Sequence, residues 1–226
     1  MNSDHARSLG WLFATHASLI GRKFAVAITG FIGAIYIVLH MLGNLQVFAG
    51  PQRLNAYAAL LKSNSELLWG VRVVLLIAVI VHIFDAAWLA WISHRGRPVS
   101  YYSWRPVAST LSSRTMRWSG PIIGLFIVYH LLHLTTGTLH PDFRGGDVYH
   151  NVVTGFRVWY AAVIYLVGMF ALGMHLYHGT WSMFQSAGVS HPKYSHFFRK
   201  AATFFTFIVV IGFISIPIAV LLGFIS

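Results

Sequence analysis

The stretch 167–184, VGMFALGMHLYHGTWSMF, is apolar over one helix's length yet holds two imidazoles, His175 and His178, at i and i+3. At 3.6 residues per turn the two rings point to nearly the same face, one above the other. An ionisable side chain that deep in an apolar run is costly in lipid, so it faces a protein interior and has a partner there. Three other apolar runs carry a deep histidine: His40, His82, and His130 with His133. Four helices that each offer an inward imidazole point to a membrane bundle with two bis-histidine haem sites inside it.

The composition supports the membrane. With 57% hydrophobic and only 9% charged residues, and a mean hydropathy of +0.66, the chain has too little polar surface to cover a water-facing domain. Five apolar segments reach the roughly 20 residues a spanning helix needs. They fall at about 22–48, 67–93, 118–139, 155–187 and 200–225, so residues 1–226 read as one all-α membrane domain. Pro217 is expected to kink the fifth span. The link 52–65 places Leu54, Tyr57, Ala58 and Leu61 at helical spacing, as a short helix lying on the membrane surface does. Before the first span, Leu9, Trp11, Leu12 and Phe13 suit the interface, with Arg7 and His16 facing water. No long apolar run with a small-residue cleavage site precedes them, so a removed signal peptide is not expected.

Cysteine is absent from the sequence. That excludes disulfides, thiolate-held iron–sulfur clusters and covalently attached c-type haem on this chain, leaving histidine as the natural ligand for a redox centre. The formal charge of +11 comes from residues at helix ends rather than from one soluble face, so membrane topology accounts for it and nucleic acid does not. Arg7, Arg22, Lys23, Arg95, Arg97, Arg105, Arg114, Arg117, Lys193, Arg199 and Lys200 fall on one side. Arg53, Lys62, Arg72, Arg144 and Arg157 fall on the other. The positive-inside rule then puts the N-terminus in the cytoplasm and the C-terminus outside.

Depth along each helix pairs the histidines. His40 lies ten residues before Gly50 and His130 ten before His140, both toward the outer side. His82 lies thirteen before Arg95 and His175 thirteen before Gly188, both toward the cytoplasm. One haem is thus expected between His40 and His130 and a second between His82 and His175. His133 and His178 match these levels less well and are expected to bond a haem propionate, a quinone oxygen or a nearby carbonyl. The remaining histidines, at the membrane ends, are expected to be solvated. Gly30, Gly33, Gly43, Gly124, Gly168 and Gly173 would admit a flat macrocycle or simply close helix packing.

Quinone chemistry needs a cleft near a haem edge, hydrogen-bond partners and a proton supply. Glu66, at the outer mouth of the second span, is a candidate proton relay or a solvated carboxylate paired with Arg72 or Lys62. Asp85, one turn from His82, is an acid within a span and is expected to bond His178, an arginine or a propionate. Arg22, Lys23 and Arg72 are candidates to neutralise propionates, or to snorkel to the interface. Trp118 and Trp181 belong to an interface belt or line the inner haem.

The run SLIGRKFAVAITGFIGAIYIVLHMLGNLQVF, IVYH in the third span and HLYHGTWSMF in the fourth resemble the membrane cytochrome b subunit of succinate dehydrogenase and fumarate reductase, of the single-chain, five-helix, two-haem type. That resemblance covers residues 15–226. It implies haem iron ligation by His40 in HMLGN, His82 in IVHIFD, His130 in IVYH and His175 in HLYHGTWS, with first span paired to third and second to fourth. It also implies an iron–sulfur subunit and an FAD-containing flavoprotein as partners. Electrons would pass between them and a quinone, usually menaquinone, in the cytoplasmic membrane of a bacterium. Some relatives carry a proton-path glutamate two residues before the fourth-span ligand; here Gly173 stands there. Two other readings of the residues are a b-type anchor of another dehydrogenase or a hydrogenase, and a haem-free transporter using the histidines as proton relays.

Overall fold

The computed structural model describes residues 15–96, 111–189 and 191–226. Arg7, Arg97 and Arg105, with the interfacial residues expected at 9–13, lie outside them. Five helices are long and apolar enough to cross a membrane, which makes this a multi-pass, all-α membrane protein whose outer faces meet lipid. They lie in α1 (Leu19–Asn44), α3 (Ser65–Arg95), α4 (Leu111–His130), α6 (Trp159–Ser186) and α7 (Pro192–Leu221). Two short helices, α2 (Pro51–Ser63) and α5 (Val148–Arg157), sit together at one end, here called the upper end.

Each boundary has a local cause, because backbone groups without partners are expensive in lipid. Ser18 Oγ accepts from the Gly21 N–H (3.0 Å) at the start of α1. Asn64 Oδ1 accepts from Leu67 N–H (2.9 Å) at the start of α3. At Gly50 the backbone adopts φ +91°, which breaks the chain before Pro51 opens α2. The fifth span begins eight residues earlier than the hydropathy suggests, because His191 accepts from Lys193 N–H (3.2 Å) and Pro192 takes the first helical position.

The third and fourth spans also differ from the sequence expectation. α4 starts at Leu111 despite its polar first turns, then passes at Leu131 into a π-helical turn, Leu131–Thr135, closed by Thr136 N–H donating to Leu131 C=O (2.9 Å). The fourth span begins at Trp159 rather than 155. The residues before it form the separate amphipathic α5, capped by Asp147 accepting from His150 N–H (3.1 Å) and broken from α6 at Val158. Asn55 of α2 ties this helix down: its amide donates to Asp147 Oδ1 (2.9 Å), and its oxygen accepts from Tyr149 N–H (3.0 Å).

Two apolar clusters hold the bundle. The upper one joins Val47, Leu54, Val152, Phe156, Tyr165 and Val220 beneath α2 and α5. The second joins Met41 of α1 to Met169, Leu172 and Leu176 of α6 and Val209 of α7. Packing is uneven. α3 lies against α1, α4 lies against α6, and α1, α6 and α7 pack together, whereas α1 with α4 and α3 with α6 hardly approach. Those two diagonals carry the histidine pairs.

Candidate haem-ligating site

His40 on α1 and His130 on α4 face each other with ring centroids 5.8 Å apart and planes at 85°. His82 on α3 and His175 on α6 do so at 6.1 Å and 57°. Two metal–imidazole bonds of about 2 Å each, with about 1.1 Å from each nitrogen to its ring centre, space a trans pair of ligands about 6 Å apart. The levels are well separated. His82 Nδ1 lies 3.1 Å from Thr29 Oγ1, eleven residues before His40 on α1, which is about 16 Å along a helix. On α6 the same separation runs from Tyr165, beside His130, to His175, about 15 Å.

Three of the four rings have a hydroxyl beside Nδ1. The Thr29 hydroxyl donates to the Ala25 carbonyl (2.7 Å), so its oxygen accepts from His82 Nδ1–H and leaves the Nε2 lone pair free. His130 Nδ1 lies 3.1 Å from the Tyr165 hydroxyl, and His175 Nδ1 lies 3.5 Å from Ser119 Oγ. His40 has its ring between Tyr36 (5.3 Å, 12°) and Phe213 (5.9 Å). An imidazole whose Nδ1 is held by a hydrogen bond and whose Nε2 lone pair is free is a good metal ligand.

Among the described residues His133 bonds no carbonyl. It is buried at 1% exposure, stacks on Tyr129 and His140, and its Nδ1 lies 3.1 Å from the same Tyr165 hydroxyl. The π-helical turn lets both His130 and His133 reach one oxygen. Gly155 makes the room, since a Cβ there would sit 2.9 Å from His133 Cε1 and 3.0 Å from His140 Nε2. His140 is not solvated: its Nε2–H donates to Asn151 C=O (2.8 Å) and its Nδ1 accepts from Asp142 N–H (3.1 Å). His178 lies half-buried one turn from His175.

Asp85 is 1% exposed and accepts from the Arg22 guanidinium, Nη1 at 2.6 Å, and from the His16 ring, Nε2 at 2.9 Å. Arg22 therefore turns inward rather than snorkelling, its guanidinium against Trp88 (4.9 Å) and Phe84 (5.8 Å). Its Nε is buried with no hydrogen-bond partner among the described residues, a donor well suited to an anionic group. Lys23 is exposed, Trp118 turns outward at 74% exposure, Trp181 lies under Arg199 (4.5 Å), and Arg72 covers Trp69 (5.0 Å). Among the described residues none of these four makes a hydrogen bond or ring contact with the paired histidines. Glu66 makes no ion pair among the described residues; it stands at the mouth of a lipid-facing apolar cleft of about 480 Å³ between α1 and α3. Tyr36, whose ring stacks on His40, lines the same cleft.

Outside the spans, the His150 ring N–H (2.9 Å) holds the Asp142 carboxyl below its ordinary 3.8. The Asn55 amide, with His150 N–H next, does the same for Asp147. Tyr165, Thr29, Ser119 and His16 are site residues that spacing did not single out. A hydroxyl within an apolar run was the available signal for the first two. No family model, curated protein or solved structure matches this chain.

Proposed function

We propose that this chain is a membrane electron-transfer subunit that holds two haems b, the upper by His40 and His130 and the lower by His82 and His175. The observation that carries the reading is the pair of crossed imidazole couples. Each spans a diagonal whose helices hardly approach, at a ring separation that suits two axial ligands on one metal. Further support comes from the Nδ1 partners, from the unpartnered Arg22 Nε for a propionate of the lower macrocycle, and from Gly30, where a Cβ would crowd His82 Cε1 to 3.3 Å. When bound, haem would supply one-electron transfer at each level.

The chain's own residues do the rest. Thr29, Tyr165 and Ser119 orient the ligand rings, while the apolar helix faces exclude water from them. At the upper end the cleft of Tyr36 and Glu66 is the place for a quinone head group, with Glu66 as the proton relay to the quinone oxygen beside the His40 level. At the lower end Arg95, Arg117, Lys193, Arg199 and Lys200 form the basic, cytoplasmic face that meets an iron–sulfur partner, itself joined to a flavoprotein. The reading agrees with the resemblance to the succinate dehydrogenase and fumarate reductase cytochrome b subunit, with menaquinone as the expected quinone.

Single replacement of His40, His82, His130 and His175 by Ala, with haem counted per chain, tests it. Each variant is expected to keep one haem, and His133→Ala both. Retention of both haems in His130→Ala with loss in His133→Ala would overturn the assignment on α4.

A further inference from the structure

The two levels differ in what stands behind the ligand. At the lower level His82 Nδ1–H meets a hydroxyl whose own proton is spent on a helix carbonyl, Thr29 to Ala25. At the upper level the Tyr165 oxygen lies 3.1 Å from both His130 Nδ1 and His133 Nδ1. A phenol has one proton, so at most one of the two nitrogens can accept from it, while its oxygen can accept from the other. If His130 presents Nε2 to a metal, its proton sits on Nδ1 and goes to Tyr165. The Tyr165 proton then goes to His133, whose ring is buried between Tyr129 and His140. A hydroxyl that donates becomes a better acceptor, so the buried His133 strengthens the pull of Tyr165 on the His130 proton. The phenol has little freedom: Phe126 (5.1 Å) and Phe156 (4.7 Å) meet its ring edge-on, and the side chain is buried.

We propose that Tyr165 and His133 are a positioning pair that sets the redox potential of the upper haem alone, by giving the His130 imidazole partial imidazolate character through the chain His130–Tyr165–His133. The inference rests on the two-haem reading. A more basic ligand favours ferric iron, so the intact chain lowers the potential of the upper haem relative to what a bare imidazole would give.

The test is an optical redox titration of both haems in the full chain, with His40→Ala used to assign the lower haem's band. Tyr165→Phe keeps the ring and removes only the oxygen; it is expected to shift the upper potential upward and leave the lower where it was. His133→Leu is expected to shift the upper haem the same way by less, and Thr29→Val to move only the lower haem. An unchanged upper potential in Tyr165→Phe or in His133→Leu with both haems retained, or equal shifts of both haems, would overturn the proposal. A wild-type chain without haem would instead overturn the two-haem reading on which it rests.

Discussion

Replacing Arg22 and Asp85, singly and together, separates a pair that stabilises from one that only specifies. At 2.6 Å and an effective dielectric near 20, the two charges attract by about 6 kcal/mol. Removing each ion from water costs several kcal/mol, so the net worth of the pair is near zero and breaking it is what costs. Arg22→Leu strands a carboxylate of 1% exposure with only His16 beside it, at a cost of about 3 kcal/mol. Asp85→Leu leaves a long side chain three residues into α1, able to swing toward the interface, at about 2 kcal/mol. The double variant removes both charges and is expected to be near neutral, against about 5 kcal/mol if the sites were independent, a coupling of about 5. Equilibrium unfolding in mixed detergent micelles, followed by helix content, measures all three. Additivity within about 0.5 kcal/mol would refute the buried pair.

Asn55→Ala removes both bonds between α2 and α5 and is expected to cost about 2 kcal/mol at about 1 per hydrogen bond, read as faster amide exchange across α5. Because the Asp147 carboxyl is held below 3.8 in the folded chain, its stabilisation is complete above pH 3.8 and is lost as pH falls through the lower folded value. Exchange across α5 should accordingly rise on acidification below that point, and less so in Asn55→Ala. Gly155→Val would force a side chain against His133 and His140, with an expected loss of about 1–3 kcal/mol in thermal unfolding. Glu66→Gln is expected to leave haem content intact and slow quinone reduction by about a hundredfold, the usual contribution of a positioned proton donor.

Depth was legible in the sequence because a helix converts residue spacing into height. His40 and His130, each ten residues before a chain break, stand at one level, and His82 and His175 at another. Five spans and the short helix α2 were legible for the same reason, from length and apolar period. Rotation about each helix axis was not. Whether Arg22 reaches for water or for Asp85 depends on how α1 turns toward α3, and nothing in the first span alone fixes that. The π-helical turn after His130 is likewise invisible to hydropathy, yet it brings His133 to Tyr165. α5 was missed because it is short and amphipathic, its start set by an Asp147 cap and its hold supplied by Asn55, 92 positions away. His140 read as solvated because it precedes a proline at a span end; its true partners come from the loop folding back on Asn151.

The central claim is met most directly by a dithionite-reduced minus oxidised spectrum of the purified, fully assembled chain, with haem counted against protein. Two b-type haems per polypeptide are expected. A colourless preparation, or a single haem per chain, would contradict the account.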